Sequence, residues 1–499
     1  MHRQRYILGI DIGSGSIKGV AISATAEHLG TSQIYYQSFS LQQGYYEQNP
    51  EQIWQAFIAC VLDITNKLLS YPLAISFSSV MHSVIPVNEQ GIAIAPMLTW
   101  TDSRSGDIAE SIRKQPLGEQ IYNNTGTPIY SMSPLAKLIW LRENDRELFL
   151  RTHKFISIKE YIWYKLFKEY QVDYSIASAT GLFNIETLCW DKEALNLAGI
   201  DETKLSTPLP TSYNRNDSLS ETSNLLNILT DTRFVIGASD GCLANLGTLA
   251  IKPDTAAVTI STSGAIRVAS NHPIQNYEAM TFSYILDEET FICGGPVNNG
   301  GMVLQWLLKS FLKRHVDTEG YLKLFEEVKT IPAGCEGLLF LPYLSGERAP
   351  VWDSKSCGTF FGVKTHHTQA HFSRAVIEGI CFGLNEVITA TEQTSGLLKQ
   401  LHVSGGFISS AVWIQLLADI TGKKLCMLHT DDASAVGAAY MGLKSLNIIT
   451  SYDALSINFQ NVIYPDMEKN GIYNKSFIIY KQLYDNLKGT MHQLYNLAN

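Results

Sequence analysis

Gly9-Ile10-Asp11-Ile12-Gly13-Ser14-Gly15-Ser16-Ile17-Lys18 is the stretch from which the fold is read. An apolar run that begins at Tyr6 ends in Gly-Ser-Gly-Ser, and a second apolar stretch runs from Ile17 to Ile22. That pattern predicts strand, tight turn, strand: a β-hairpin with glycines where the backbone needs positive φ. Two physical readings fit the turn. It is an ordinary hairpin connection, or it is a phosphate cradle. In a cradle, Gly13 and Gly15 let backbone N–H groups approach phosphate oxygens, Ser14 and Ser16 add hydroxyl donors, and Lys18 adds charge. Asp11, at the strand end, could then hold a hydrated Mg²⁺, which keeps waters and takes few carboxylates. The motif is neither a Walker loop nor a dinucleotide fingerprint, because no GxxxxGK[ST] or GxGxxG follows.

Half the chain away, Val258-Thr259-Ile260-Ser261 runs into Thr262-Ser263-Gly264-Ala265-Ile266-Arg267-Val268. Residues 14–18 match residues 263–267: small residues in a turn, an apolar residue, then a base. Self-similarity of this kind points to an internal repeat, although two short matches also arise by chance. Thr262, Ser263 and Gly264 form a second candidate phosphate turn, and two such turns in equivalent places of two lobes would face one cleft. Lys252-Pro253-Asp254 reads as a turn and as the boundary between the lobes. The expected division is 1–250, 251–445 and a helical tail over 446–499, with Asn470-Gly471 marking a turn in the tail.

Apolar periodicity predicts a helix over 51–70, with Asn49 as N-cap and Pro50 in the first turn. A strand follows over 73–77, and helical patterns recur over 134–144 and 159–169. Residues 206–232 are polar and weakly periodic. They precede a strand over 234–237 and a helix start at Gly241. Asp240 sits between these two. It is either a general base, placed to take a proton from a hydroxyl that attacks a phosphoryl group, or the helix N-cap. His82, Trp100, Asp102 and Arg104 follow strand-like runs, where α/β sheets carry ligand groups. They offer the donors and acceptors that a polyol needs, or they are a surface salt bridge and a buried tryptophan. His366, His367 and His371 lack the Cys or carboxylate that would complete a metal set.

The chain has 499 residues, which calls for two large domains. A 45% hydrophobic and 17% charged composition is that of a soluble globular protein. The formal charge of -9 argues against a nucleic-acid partner. The apolar run before Asp11 is too short for a signal-peptide core, and no stretch approaches the roughly 20 apolar residues of a membrane helix. Eight scattered cysteines without a CxxC pair read as buried free thiols of a reducing compartment. The cytoplasm is therefore the expected location, with no membrane partner.

Two longer stretches carry a family resemblance. One is Met132-Ser133-Pro134-Leu135-Ala136-Lys137-Leu138-Ile139-Trp140-Leu141-Arg142-Glu143-Asn144. The other is Gly358-Thr359-Phe360-Phe361-Gly362-Val363 followed by His371-Phe372-Ser373-Arg374-Ala375-Val376-Ile377-Glu378. Together with the hairpins, these resemble the two signatures of the FGGY carbohydrate kinases. The resemblance implies an α/β fold of two actin-like ATPase (ribonuclease H-like) lobes with a nucleotide- and sugar-binding cleft between them. It further implies that ATP and Mg²⁺ are used, that Asp240 is the general base, and that Asp11 organises Mg²⁺. Gly13, Ser14, Gly15, Ser16 and Lys18 become one phosphate turn, and Thr262, Ser263 and Gly264 the other. Gly405, Gly406, Ser409 and Ser410 resemble the adenosine loop, and Gly301 and Gln305 positions beside the nucleotide. Glu347 and Arg348 resemble an inter-lobe loop and are expected to be architectural.

Within the family, Met81-His82-Ser83, Trp100-Thr101-Asp102-Ser103-Arg104 and Ser239-Asp240-Gly241 look most like the gluconokinase branch. Ser83 and Gly241 depart from the Gly and Asn more often found in xylulokinases, and are expected to reshape the sugar pocket. This implies a sugar-acid or polyol substrate, with the γ-phosphoryl group of ATP passing to the 6-hydroxyl of gluconate. His82, Trp100, Asp102, Arg104 and Asp240 would bind that substrate. The Trp-x-Asp-x-Arg element is shared with kinases of neutral sugars, so Arg104 alone does not prove a bound carboxylate. Rival readings are a xylulokinase or another polyol or ketose kinase, and an actin- or chaperone-like ATPase that binds a protein. A homodimer is retained as an option.

Overall fold

A computed structural model describes residues 5–40, 42, 44–428, 432–456 and 459–498. Strands β1 (Tyr6–Ile12) and β2 (Ser16–Ile22) form the expected antiparallel hairpin, with Asp11 opposite Lys18. Strand β3 (His28–Tyr35) continues the meander beyond β2. Strands β4 (Pro72–Ser79) and β5 (Arg233–Ser239) add in parallel on the other side, giving the order β5-β4-β1-β2-β3. The crossover between β3 and β4 contains α1 (Pro50–Leu68), which starts where Asn49 accepts the Glu51 N–H. Because side chains alternate along a strand, β1 is buried on both faces. Leu8, Ile10 and Ile12 share a core with Ile53, Phe57, Val61 and Ile64 of α1, whereas Ile7 belongs to a different core on the opposite face. Helices α2 (Pro134–Asn144) and α3 (Ile158–Phe167) lie where periodicity predicted them.

The second sheet repeats the plan. Strands β6 (Thr255–Ile260) and β7 (Gly264–Ser270) form its hairpin, and β8 (Thr290–Val297) lies antiparallel to β7. Strands β9 (Gln400–Ser404) and β10 (Lys424–Met427) add in parallel beside β6. The order β8-β7-β6-β9-β10 reproduces that of the first sheet in sequence and direction. Thus the short match between residues 14–18 and 263–267 falls at corresponding hairpins of two sheets built alike. The turns differ in span: the Gly13 N–H reaches the Ser16 carbonyl, and the Ser261 N–H reaches the Ser263 carbonyl.

Several sequence expectations need correction. Gly13 and Gly15 are not among the positive-φ residues, so the first turn does not need glycine for its backbone angles. Gly15 has open space where a Cβ would sit, which leaves its backbone approachable. Asn470 and Gly471 lie inside the long helix Met467–Ala498, not at a turn. The Asn470 amide donates to the Asp419 carbonyl, at 2.9 Å, near the end of the helix Ala411–Thr421, so a tertiary contact overrides its turn preference. The weakly periodic segment 206–232 contains a short helix, Ser220–Leu226. All eight cysteines are free, but Cys189 is exposed and Cys357 is only partly buried.

Helix α4 (Asp240–Gly247) follows β5 directly, and a later helix, α5 (Ala433–Ser445), packs across β1, β2, β4 and β5 of the first sheet. The two helices meet backbone to backbone. A Cβ on Gly437 would overlap the Leu243 carbonyl oxygen, and one on Gly247 would overlap that of Ala433. Gly9 on β1 is equally tight against the Ala435 carbonyl. The apolar cluster around this crossing joins Val235, Leu243 and Leu246 to Ala269 and Ile292 of the second sheet and to Ala438 and Met441 of α5. Forcing a methyl group into such a contact costs about 1–3 kcal/mol or more through backbone displacement. Gly437→Ala should therefore lower the urea midpoint clearly. Gly489→Ala should leave it unchanged or raise it, because Gly489 lies exposed in a helix with open space around its Cα.

Candidate active site

The carboxyl ends of β1, β4 and β5 converge with the turn after β6. Asp240 opens α4, but it is not the cap: the Ser239 hydroxyl accepts the Cys242 N–H and fills that position. The Asp240 carboxylate is therefore free of the capping role, and among the described residues it takes only the adjacent Gly241 N–H, at 2.7 Å. Burial and the nearby Asp11 carboxylate push its pKa up to about 7, against the opposing pull of Arg267. Below it, Lys159 of α3 is fully enclosed. Its Nζ pairs with Asp173 at 2.6 Å and donates to the Ile236 and Ala238 carbonyls at 3.2 and 2.9 Å, pinning the end of β5.

Asp240 lines a cavity of about 170 Å³ with His82, Trp100, Arg267, Tyr284 and Arg348. His82 has a φ of +67°, a strained value for a side-chain-bearing residue. Two contacts hold it there. Its Nδ1 meets the Ala179 carbonyl at 2.8 Å, and its own carbonyl accepts Lys137 Nζ at 2.7 Å. Burial and the neighbouring Lys137 charge drive the imidazole pKa down to about 3, so the ring is neutral, with Nε2 as an acceptor. Lys137, in the helix of the first signature, also donates to the Thr99 carbonyl at 2.7 Å, next to Trp100. One buried ammonium thus fixes two of the cavity's walls. The Trp100 indole N–H donates to Ser14 Oγ at 2.9 Å, joining this cavity to the first glycine turn.

Asp11 accepts from Ser78 Oγ at 2.7 Å, and its pKa is raised, chiefly by burial and also by Asp432. Lys18, opposite it, pairs with Asp432 at 3.0 Å. The Asp11 carboxylate acts on Asp240 as a like charge, a repulsion that a bound divalent cation would relieve. Among the described residues no group of three or more His, Cys, Asp or Glu could hold a metal. Mg²⁺ does not need one, since it keeps waters and shares phosphate oxygens. The donor set at Asp11 fits that ion.

A larger cavity of about 580 Å³ lies beyond the second turn, lined by Thr262, Gly301, Gln305, Gly406, Ser409 and Ser410 among others. Ser261 lines both cavities. The backbone turn at 261–263 is held by the start of the helix Gly301–Trp306: the Gly301 N–H reaches the Ser261 carbonyl at 2.7 Å, and the Met302 N–H reaches that of Thr262 at 3.1 Å. Tyr321 and Phe325, on the helix Thr318–Lys329, give the cavity aromatic walls.

Family models for the N-terminal and C-terminal domains of the FGGY family of carbohydrate kinases match residues 6–247 and 256–446. The chain belongs to the FGGY family of carbohydrate kinases. It is an ATP-dependent phosphotransferase of two actin-like lobes. A gluconokinase from Bacillus subtilis (strain 168) is 40% identical over 462 residues, 90% of each chain. Crystal structures of a gluconate kinase and of a ligand-bound xylulose kinase, both from Lactobacillus acidophilus, superpose with TM-scores of 0.94. They are 31% and 30% identical, and each comparison covers 98% of this chain and all of the other. No helix among the described residues is long and apolar enough to cross a membrane.

Within this FGGY scaffold, some residues singled out from the sequence are not brought to the cavities. Asp102 and Arg104 do not line the cavity of about 170 Å³. Arg104 is locked to Asp102 and Glu47 at 2.7 and 2.6 Å and stacks 3.7 Å from the Tyr45 ring. With Asp102 also taking the Tyr46 N–H, this buried network fixes the segment whose Gln48 amide donates to the Ser14 carbonyl at 2.6 Å. Ser83 Oγ accepts the Ile158 N–H at the start of α3, outside the lining of that cavity. Gly405 has φ +106° and packs on the Ile260 carbonyl, so Gly406 lines the nucleotide-sized cavity without it. Ser410 Oγ caps the helix Ala411–Thr421 at the Trp413 N–H. Conversely, Arg348 is a cavity wall and not merely architectural, while Glu347 accepts from the Asn298 N–H and the Asn299 amide. In the sequence, Arg267 stands out only as the base that ends the repeat, and the structure places it in the wall of the small cavity.

A carboxyl pKa raised from the usual range to about 7 has a definite sign. Its stabilising contribution is complete below the ordinary carboxylate range and is lost as the pH rises through about 7. Asp240→Asn should consequently melt higher than the parent at pH 8, and the gap should shrink at pH 5. A constant gap in thermal melts at the two pH values would contradict the assigned environment of Asp240.

Proposed function

We propose that this chain is a cytoplasmic gluconokinase, which transfers the γ-phosphoryl group of ATP to the 6-hydroxyl of D-gluconate, giving 6-phosphogluconate and ADP. The observation that carries the kinase chemistry is the carboxyl of Asp240, tuned near neutrality, on a small cavity that meets a nucleotide-sized one at Ser261. The 40% identity to the Bacillus subtilis gluconokinase supports the substrate, against 30% to the Lactobacillus acidophilus xylulose kinase. The equal TM-scores of the two Lactobacillus acidophilus structures keep xylulose as the rival substrate.

In this reading the substrate hydroxyl lies at Asp240, which accepts its proton as the oxygen attacks the γ-phosphorus. The turns at Gly13–Ser16 and Thr262–Gly264 present backbone N–H groups and hydroxyls to the phosphates, and Lys18 contributes charge. Adenosine occupies the larger cavity, between Gly406 on one side and Tyr321 and Phe325 on the other. Mg²⁺, held at Asp11, neutralises phosphate charge when bound. Neutral His82 and the indole of Trp100 fix the polyol, and enclosure between the lobes excludes competing water.

ADP release should be measured against gluconate, xylulose, glycerol, ribulose and fuculose. Gluconate should lead in kcat/KM by about 10²-fold, and a lead for xylulose would replace the substrate. In the same assay Asp240→Asn should lose about 10²-fold or more in kcat while ATP still binds. The parent's rate should fall on the acid side of about pH 7 as the base protonates. Unchanged turnover in the variant would remove Asp240 from the chemistry.

A further inference from the structure

We infer that Arg267 binds the carboxylate of the substrate and makes the small cavity select sugar acids over neutral sugars. This deepens the gluconokinase reading and rests on it. Charge in the cavity wall is the starting point. Two guanidinium groups, Arg267 and Arg348, line it, and Asp240 is the one acidic residue among the lining residues. His82 is neutral. The wall therefore carries an excess of positive charge in a small cavity lined mostly by half-buried and buried side chains, where an unpaired cation is costly. An anionic substrate removes that cost, and a neutral one leaves it in place.

The two arginines are not equivalent. Arg348 is partly committed to the protein: it donates from Nη2 to the Val297 carbonyl at 3.1 Å, and its guanidinium lies 5.4 Å from the Trp100 ring centre, while its buried Nε has no partner among the described residues. Arg267, on β7, forms no side-chain hydrogen bond among the described residues. The acid that acts on it most is Asp240, whose carboxylate must stay available for a proton. Burial holds both guanidinium pKa values below their ordinary range, as expected of cations short of partners. Room for Arg267 is made at a particular place. A Cβ on Gly241 would lie 3.2 Å from Arg267 Nε and 3.1 Å from Met81 Cε, so the missing side chain at 241 leaves the space that the guanidinium occupies. A planar fork of N–H donors with nothing to bind is complementary to a carboxylate, which accepts two of them in parallel. A site built around such a contact rejects the analogue that lacks it more strongly than an apolar site rejects a missing methylene.

The test compares the full-length parent, Arg267→Gln and Arg267→Lys on gluconate, on gluconamide (a carboxamide in place of the carboxylate) and on glucitol (a hydroxymethyl in its place). The parent should prefer gluconate to gluconamide by about 10²-fold in kcat/KM. In Arg267→Gln that ratio should collapse toward one, mainly through a raised KM for gluconate, while ATP affinity reports an intact fold. A ratio that survives in Arg267→Gln overturns the proposal. So does an equal loss on all three substrates, which would assign Arg267 to the transferred phosphoryl group. If Arg267→Gln does not bind ATP, Arg267→Lys decides: it keeps the charge but loses the fork, and its ratio should fall about tenfold. An unchanged ratio there also overturns the proposal. A parent that ignores gluconate and phosphorylates xylulose would sink the substrate reading itself, an outcome separable from a parent that uses gluconate without help from Arg267.

Discussion

The crossing of α4 and α5 at Gly247 and Gly437, with Gly9 pressed against the same helix, is the constraint on which the rest of the molecule depends. Only glycine backbones let the helices approach this closely, and only this approach brings the two sheets near enough for their strand ends to share a crevice. The start of α5 then reaches the site directly. Ser434 Oγ donates to the Asp240 carbonyl at 3.1 Å, and Asp432 pairs with Lys18. A packing requirement in the core is therefore also a positioning requirement in the cleft, and the two cannot be varied independently.

Around that frame the protein spends buried cations on holding loops. Lys137 and Lys159 are fully enclosed, and each donates to two backbone carbonyls, Lys137 to those of His82 and Thr99 and Lys159 to those of Ile236 and Ala238. Lys137 shows the consequence of enclosure most plainly. Burial pulls its pKa down to about 7, yet it still bridges the strained His82 and the loop that carries Trp100. Removing one partner from such an arrangement costs more than a surface pair, because the remaining group stays desolvated. Low dielectric also sharpens the contrast among the ionisable groups of the cavity: a carboxyl near neutrality, an imidazole held neutral, and two guanidinium groups with few partners.

Much of the fold was legible because its signals are local. Alternating and continuous apolar runs marked β1, β2, β5 and β6, and Asn49 and Pro50 marked the start of α1. The repeated small-residue turn before Ile17 and Ile266 pointed to two sheets of one plan. What was not legible depends on partners distant in sequence. Nothing next to Asp102 and Arg104 announces Glu47 and Tyr45, which hold the arginine in a buried network outside the lining of the small cavity. Asn470 and Gly471 look like a turn until Asp419 supplies a carbonyl for the asparagine amide. Arg348 and Tyr284 become cavity walls only when the strand Phe282–Asp287 has paired with β8 and the loop after Tyr343 has packed against them. Tyr321 and Phe325, four residues apart on a helix, resemble any amphipathic face until the nucleotide-sized cavity opens beside them.

The helix that covers the first sheet is encoded in the second half of the chain. The N-terminal half is thus not a self-sufficient folding unit: cut at the turn near Pro253, it would emerge with one face of its central sheet bare. During synthesis that face must wait for nearly two hundred further residues before its cover arrives, an interval in which chaperones and stray apolar surfaces compete for it. The same dependence makes the chain a candidate for fragment complementation, in which two inactive pieces regain a fold only on meeting.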